Sequence, residues 1–265
     1  MDLLPFRALV GGSTQGIGRA VAEALAARGC AVTLLARDAV RLAEVAAVLP
    51  RVAARQGAHD FLVADFSQPE QVAAVVQAYL AQEQNAGGFQ ILINNTGGPA
   101  GGPLLAAPAA ALRAAFEMHV VASQLLAQAV VPRMQAAGYG RIINIISTSV
   151  KIPLAGLGVS NTIRGAMASW AKTLANELGE FGITVNNVLP GATLTQRHSS
   201  LIEKKASQTG QSAADIEAGM LRLIPARRFG QAEEVAAAVA FLASPAAAYV
   251  NGVSMPVDGG RTGSI

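Results

Sequence analysis

The 265-residue sequence predicts a doubly wound α/β fold, a seven-stranded parallel sheet with helices on both faces, and two observations carry that prediction. Short β-branched and leucine-rich runs alternate with longer alanine-rich segments of helical periodicity, the pattern of a parallel sheet covered on both sides. A glycine-rich turn, Gly12-Ser-Thr-Gln-Gly16-Ile-Gly18, falls between the first strand-like run and the first helical segment.

Taken in order, residues 8–10 form the first strand. The helix after it places Ile17, Ala20, Val21, Ala24 and Leu25 on one face before Gly29 stops it. Residues 31–35 form the second strand, Asp38 can cap the next helix, and Pro50 lies just past that helix's end. After a strand at 61–64, Ser67 and Glu70 have capping-box spacing, with Pro69 in the first turn. A strand at 90–93 leads into a Gly/Pro-rich loop at 97–103 and one long helix over about 108–137. The remaining elements are a strand at 141–146, a helix at about 157–178, a strand at 183–189, a helix at 232–242 and a strand near 252–257. Only about 193–229 breaks the alternation, and because it follows a strand's carboxyl end it is either a substrate lid or a surface excursion of two short helices. No repeat or linker divides the chain, so residues 1–265 are expected to form a single domain.

A composition of 52% hydrophobic and 14% charged residues excludes intrinsic disorder. The net charge of +3 is spread over scattered Lys and Arg residues without interleaved aromatics, so nucleic acid is not an expected partner. Cys30 is the only cysteine, which rules out an intrachain disulfide and a cysteine-based metal site; no metal is expected, and a reducing cytoplasm suits the chain. The amino terminus lacks a secretory pattern, and charged or polar residues interrupt every apolar run, so no membrane-spanning segment is expected.

A pyrophosphate needs close backbone approach, free amides and the positive end of a helix dipole. Glycines between a strand and a helix supply all three, so Gly12, Ser13, Thr14, Gln15, Gly16, Ile17 and Gly18 are candidate contacts of a Rossmann-type dinucleotide site. The spacing Gly-x-x-x-Gly-x-Gly resembles the fingerprint of the short-chain dehydrogenase/reductase family. Later motifs agree in order. Asp65, with Phe66 beside it, matches an acidic residue near the adenine; Asn94-Asn95-Thr96-Gly97 is similar to a stretch that braces the sheet and the cofactor. Pro190-Gly191 followed by Thr193 and Thr195 resembles the segment holding the nicotinamide carboxamide, and Asn251-Gly252 and Val257-Asp258-Gly259-Gly260 resemble the closing strand and turn. The resemblance spans nearly the whole chain. It implies an oxidoreductase acting on a small or medium carbonyl or alcohol, 3-oxoacyl-reductase-like. It also implies a homo-oligomer, dimer or tetramer, packed through the helix that carries Trp170.

A site that prefers NAD ends its second strand in a carboxylate for the ribose hydroxyls. Here the strand ends Leu35-Ala36-Arg37, and the Arg37 cation suits a 2′-phosphate, so NADP is favoured over NAD unless Arg37 is merely a solvated loop charge. Asp38 stands one position too late and fits a helix cap.

At the reaction centre this sequence departs from the family. The resemblance implies a tyrosine four residues before a lysine, a polarising serine and an asparagine. Ser147 matches the serine, but Ser160 and Arg164 fall at the tyrosine and lysine positions and His119 at the asparagine. An aliphatic hydroxyl is a far weaker acid than a phenol, and Arg stays charged. Ser160 and Arg164 therefore orient rather than donate protons, Arg164 to the nicotinamide ribose or a substrate carboxylate. His119 is the replacement acid by chemistry, or else a buried histidine filling the vacant asparagine site. Lys151 is a further candidate cation, or a surface lysine. Three readings stay open: an NADP-dependent oxidoreductase with an altered proton donor, a non-redox lyase or dehydratase, and a dinucleotide-binding sensor.

Overall fold

A computed structural model describes residues 3, 4, 6–51 and 59–263. Its elements run β1 (Arg7–Gly11), α1 (Gly16–Ala26), β2 (Ala31–Ala36), α2 (Ala39–Val48), β3 (Asp60–Val63), α3 (Pro69–Leu80), β4 (Ile91–Asn94) and α4 (Ala109–Phe116). They continue with α5 (Ala122–Ala137), β5 (Gly140–Ile145), α6 (Gly158–Leu178), β6 (Ile183–Pro190), α7 (Gln196–Thr209), α8 (Ala213–Arg222), α9 (Ala232–Leu242) and β7 (Ser254–Val257). The strands form one seven-stranded sheet of order β3-β2-β1-β4-β5-β6-β7, every pair parallel. This is the expected doubly wound Rossmann-type sheet.

Alternate residues of each central strand feed opposite cores. Ala8, Val10, Val32 and Leu34 meet Val21 and Leu25 of α1, Leu42 of α2 and Val239 of α9. Leu9, Leu35 and Leu92 meet Val76 of α3, Leu126 of α5 and Ala175 of α6 on the other face. Because both faces are covered, the strands read as continuous apolar runs. The chain order reverses between β1 and β4, which opens a crevice at the carboxyl ends of these strands.

Polar side chains lock that edge from within. Asn94, Asn144 and Asn187 sit side by side in register on β4, β5 and β6, with Ser254 next to them on β7. The Asn94 amide donates to Asn144 at 2.8 Å, Asn144 to Asn187 at 2.9 Å, and Asn187 to the Ser254 hydroxyl at 3.1 Å. The three asparagines are buried.

Local signals were mostly read correctly. Asp38 caps α2 by accepting the Arg41 amide at 3.1 Å. Three expectations are corrected. The cap of α3 is Gln68, without a side-chain bond, so Ser67 and Glu70 form no capping box; Ser67 instead gives its amide to Asp65 at 3.0 Å. The long helix over 108–137 is interrupted by a π-helical turn, Glu117–Val121, between α4 and α5. Such turns are tolerated where other bonds recover the backbone groups, and here the Ser123 hydroxyl donates to the His119 carbonyl at 2.6 Å. The helical run Ala109–Ala137 also proves long and apolar enough to cross a membrane by length and composition, although half of its most apolar window is buried inside this fold.

Removing the middle rung, Asn144→Ala, orphans a buried amide and a buried carbonyl and should lower stability by roughly 2–4 kcal/mol. Urea unfolding measures this, and a loss under about 0.5 kcal/mol would show the ladder to be idle.

Candidate active site

The glycine turn starts where β1 ends. Gly12 has φ of +57°, and a Cβ there would lie 2.7 Å from the Asn95 carbonyl oxygen; a Cβ on Gly18 would overlap the Gly12 carbonyl itself. The turn is pinned from β4: the Asn95 amide donates to the carbonyls of Gly11 and Gly12 at 3.1 and 3.3 Å. Ser13 is fully buried, and its hydroxyl accepts the Leu35 amide at 3.1 Å, so its side chain is spent on the turn. The cap residue of α1, Gln15, offers no side-chain bond, and no acidic residue stands in the first turn. The first amides of α1 are therefore left for an external anion. A cavity of about 410 Å³ opens beside Thr14 and Gln15, walled across by Arg41 and Glu44 of α2. At the end of β2, the Arg37 side chain is 80% exposed and reaches only to Asp65 at 3.9 Å. Asp38 is occupied as a cap and pairs with Arg41 at 3.5 Å. These features fit an adenine dinucleotide whose pyrophosphate lies on α1 and whose ribose carries a phosphate near Arg37.

A second cavity, of about 270 Å³, lies at the same sheet edge. Ile17 of α1, Thr96 after β4, Ser147 after β5, Ser160 and Arg164 on α6, and Pro190, Gly191, Thr193 and Thr195 after β6 all line it. The sequence had singled out each of these. Ser147 caps a short turn by accepting the Ser149 amide at 3.1 Å, which leaves its own proton to be donated into the cavity. Ser160 and Arg164 are one turn apart on α6, and Arg164 gives one N–H to the Ile145 carbonyl at 3.1 Å. Burial, with Arg197 nearby, pushes the Arg164 guanidinium down to about 10. Thr195 caps α7 by accepting the His198 amide at 3.3 Å.

Other candidates stand elsewhere. Asn94 is a rung of the ladder and Phe66 a core side chain with its ring against Gly11, and neither lines either of these two cavities. Gly97 is exposed and Lys151 is exposed outside the cavity. Of the two readings open for His119, the geometry fits the buried histidine. It is buried, lies behind Thr96 rather than on the cavity wall, and shares a 2.5 Å hydrogen bond between Nδ1 and the Thr96 hydroxyl. Burial, then the Arg164 and Arg197 cations, push its pKa down to about 3.

The sequence reading missed Arg197 and His198 on α7, Met220 on α8 and Arg261 near the carboxyl end, all of which line the cavity. The usable signal was Thr195 as a helix cap, which turns the first residues of α7 toward the sheet edge. Among the described residues that line this cavity there is no tyrosine, lysine, aspartate or glutamate.

With this geometry established, comparison with known proteins places the chain. A family model described as enoyl-(acyl carrier protein) reductase matches residues 12–262. The 3-oxoacyl-(acyl-carrier-protein) reductase FabG of Vibrio cholerae is 31% identical over 260 residues, 96% of each chain. The structure of L-sorbose reductase from Gluconobacter frateurii, complexed with NADPH and L-sorbose, superposes with a TM-score of 0.89 at 31% identity, covering 100% of this chain and 99% of the other. YwfH, an NADPH-dependent reductase involved in bacilysin biosynthesis, gives 0.89 at 29% identity, with 98% and 99% covered. The chain belongs to the short-chain dehydrogenase/reductase family.

His119 carries a pH signature. Unfolded, it takes up a proton near the ordinary value of about 6.5; folded, only near about 3. Protons therefore favour the unfolded chain, and stability should fall as pH drops from about 6.5 to about 3, with a ceiling of roughly 5 kcal/mol from this residue. In His119→Asn that slope should flatten, as measured by thermal melts across the range; an unchanged slope would mean that the fold protonates His119 as readily as water does.

Proposed function

We propose that this chain is an NADP-dependent oxidoreductase acting on a small or medium carbonyl or alcohol, with Ser147, Ser160 and Arg164 forming an oxyanion site in place of a tyrosine–lysine acid. The observation that carries the reading is the cavity edge itself: the Ser147 proton is free to donate, and Arg164 lines the same cavity as a cation held by the Ile145 carbonyl. YwfH is an NADPH-dependent reductase and L-sorbose reductase is complexed with NADPH, and the exposed Arg37, with Asp38 committed to capping α2, supports the same choice here. When bound, NADPH supplies a hydride, so that carbonyl, NADPH and one proton give alcohol and NADP.

The protein's part is positional and electrostatic. Ser147 donates to the carbonyl oxygen and Ser160 offers a second hydroxyl. The Arg164 guanidinium stabilises the negative charge that develops on that oxygen; in a water-poor site such preorganised donors are worth roughly 10²–10³ in rate. The proton then arrives from solvent. His119 acts through Thr96 as a neutral positioning group. The chain is one dinucleotide-binding unit in which α7 and α8 are the substrate lid: Arg197 on α7 donates to the carbonyls of Gly98 and Pro99 at 2.9 and 3.3 Å, holding the lid to the loop after β4. A homo-oligomer packed through α5 and α6 is part of this reading. Trp170 is only partly buried there, its indole N–H donating to Gln124 at 2.8 Å.

Calorimetric titration with NADPH and NADH tests the cofactor. NADPH should bind at least tenfold tighter, and Arg37→Asp should remove most of that preference. Ser147→Ala should then cut carbonyl-dependent NADPH oxidation about 100-fold or more with NADPH affinity retained. Binding without any turnover of carbonyls would move the assignment to a sensor, and turnover of a substrate without NADPH oxidation to a lyase.

A further inference from the structure

The charge pattern of the 270 Å³ cavity is not explained by a dinucleotide. Three arginines line it, Arg164 from α6, Arg197 from α7 and Arg261 from the segment after β7, together with His198 and with no carboxylate among the lining residues. Among the described residues none of the three arginines makes an ion pair. The acidic groups nearby are turned away. Asp258 spends both oxygens on backbone amides, of Gly260 at 3.0 Å and Thr262 at 2.8 Å, and Glu217 is exposed on α8, acting on His198 from outside the cavity.

Gathering like charges in a partly desolvated space is costly unless an anion completes the group. Arg197 is also placed with donors to spare. Two of its N–H groups hold the carbonyls of Gly98 and Pro99, which leaves three of its five. The approach is close: a Cβ on Gly98 would lie 2.5 Å from Nη2 of Arg197. The cofactor's own anions have other partners available, the uncapped amides of α1 and the exposed Arg37.

We infer that this cavity takes a small substrate carrying a carboxylate, an oxo acid or its hydroxy acid. Arg197 and Arg261 bind the carboxylate beneath the lid, and Ser147 and Ser160 receive the carbonyl or hydroxyl oxygen. The inference rests on the oxidoreductase reading for the chemistry but not for the anion site itself. Arg197 then has two tasks in one position, since the fork that holds the lid to the loop after β4 also faces the substrate's charge.

The test uses the full chain with two readouts. In the first, oxalate, malonate, succinate and glutarate, each beside its dimethyl ester, are titrated by calorimetry into the protein with and without saturating NADP. At least one dianion should bind where its ester does not, and Arg197→Gln should weaken it tenfold or more. In the second, short 2-, 3- and 4-oxo acids and their methyl esters are compared as substrates for NADPH oxidation. The acid-to-ester ratio of kcat/KM should exceed ten, collapse in Arg197→Gln and recover in part in Arg197→Lys, which restores the charge without the fork. Equal use of acids and esters, or no dianion binding, overturns the inference. So does an Arg197→Gln loss that lowers acid and ester alike, which marks a lid contact only, or one that appears in NADPH affinity, which assigns the charge to the cofactor. Absence of NADPH binding with dianion binding intact overturns the oxidoreductase reading instead.

Discussion

The register of β4, β5 and β6 at their carboxyl ends is the constraint on which the rest of the site depends. Thr96, Ser147 and Gly191 each follow one of these strands within a few residues, so their relative positions are those of the strands. Apolar packing on both faces fixes the depth of the sheet but says little about sliding along the strand axis, because neighbouring apolar residues are interchangeable there. The Asn94–Asn144–Asn187–Ser254 ladder removes that freedom. A slip would leave several buried amides unpaired at once, each costing about 1–3 kcal/mol, and the ladder's bonds of 2.8–3.1 Å form only between residues paired in the observed register. Asn95 extends the same brace to the glycine turn, joining the dinucleotide end of the crevice to the reacting end.

How much of this the sequence disclosed follows from the range of each interaction. Periodicity and caps are local, and they were legible: all seven strands, the arrest of α1 and the Asp38 cap could be read from a few neighbouring residues. The π-turn could not, because Glu117–Val121 has the composition of any helix and its irregularity depends on what His119 and Ser123 meet in three dimensions. The same limit applies to the site. Ser147, Ser160 and Arg164 were found by position relative to a recurring motif, whereas Arg197, His198 and Arg261 belong to segments without such a motif and reach the cavity only through the fold. Asn94 shows the converse: a motif position suggested a ligand contact, and the structure gives its side chain to the sheet.

His119 illustrates why chemistry by residue type is insufficient. Imidazole is the side chain best suited to proton transfer near neutrality, but that suitability belongs to a solvated ring. Here desolvation and two arginines act in the same direction, so the ring is held neutral over the whole physiological range. The arginines lining the cavity also act, after burial, to keep the nearby His119 neutral. An arrangement that keeps Arg164 charged in a confined space is consistent with stabilising an oxyanion and inconsistent with storing a proton on His119.

This coupling also bears on the proposed lid. Burial, and then repulsion from Arg197, lower Arg164, and the Arg197 guanidinium is itself lowered by burial. If α7 is the lid proposed above, its hold on the loop after β4 without an anion depends on the two carbonyl bonds to Gly98 and Pro99. An anion between the arginines reverses the balance, turning mutual repulsion into shared attraction. Charge in the cavity and closure of α7 are then linked by thermodynamic necessity, because a ligand that binds one arrangement more tightly shifts the population toward it. On the proposed oxo-acid reading, substrate recognition and exclusion of water would be one equilibrium, governed by the same side chain.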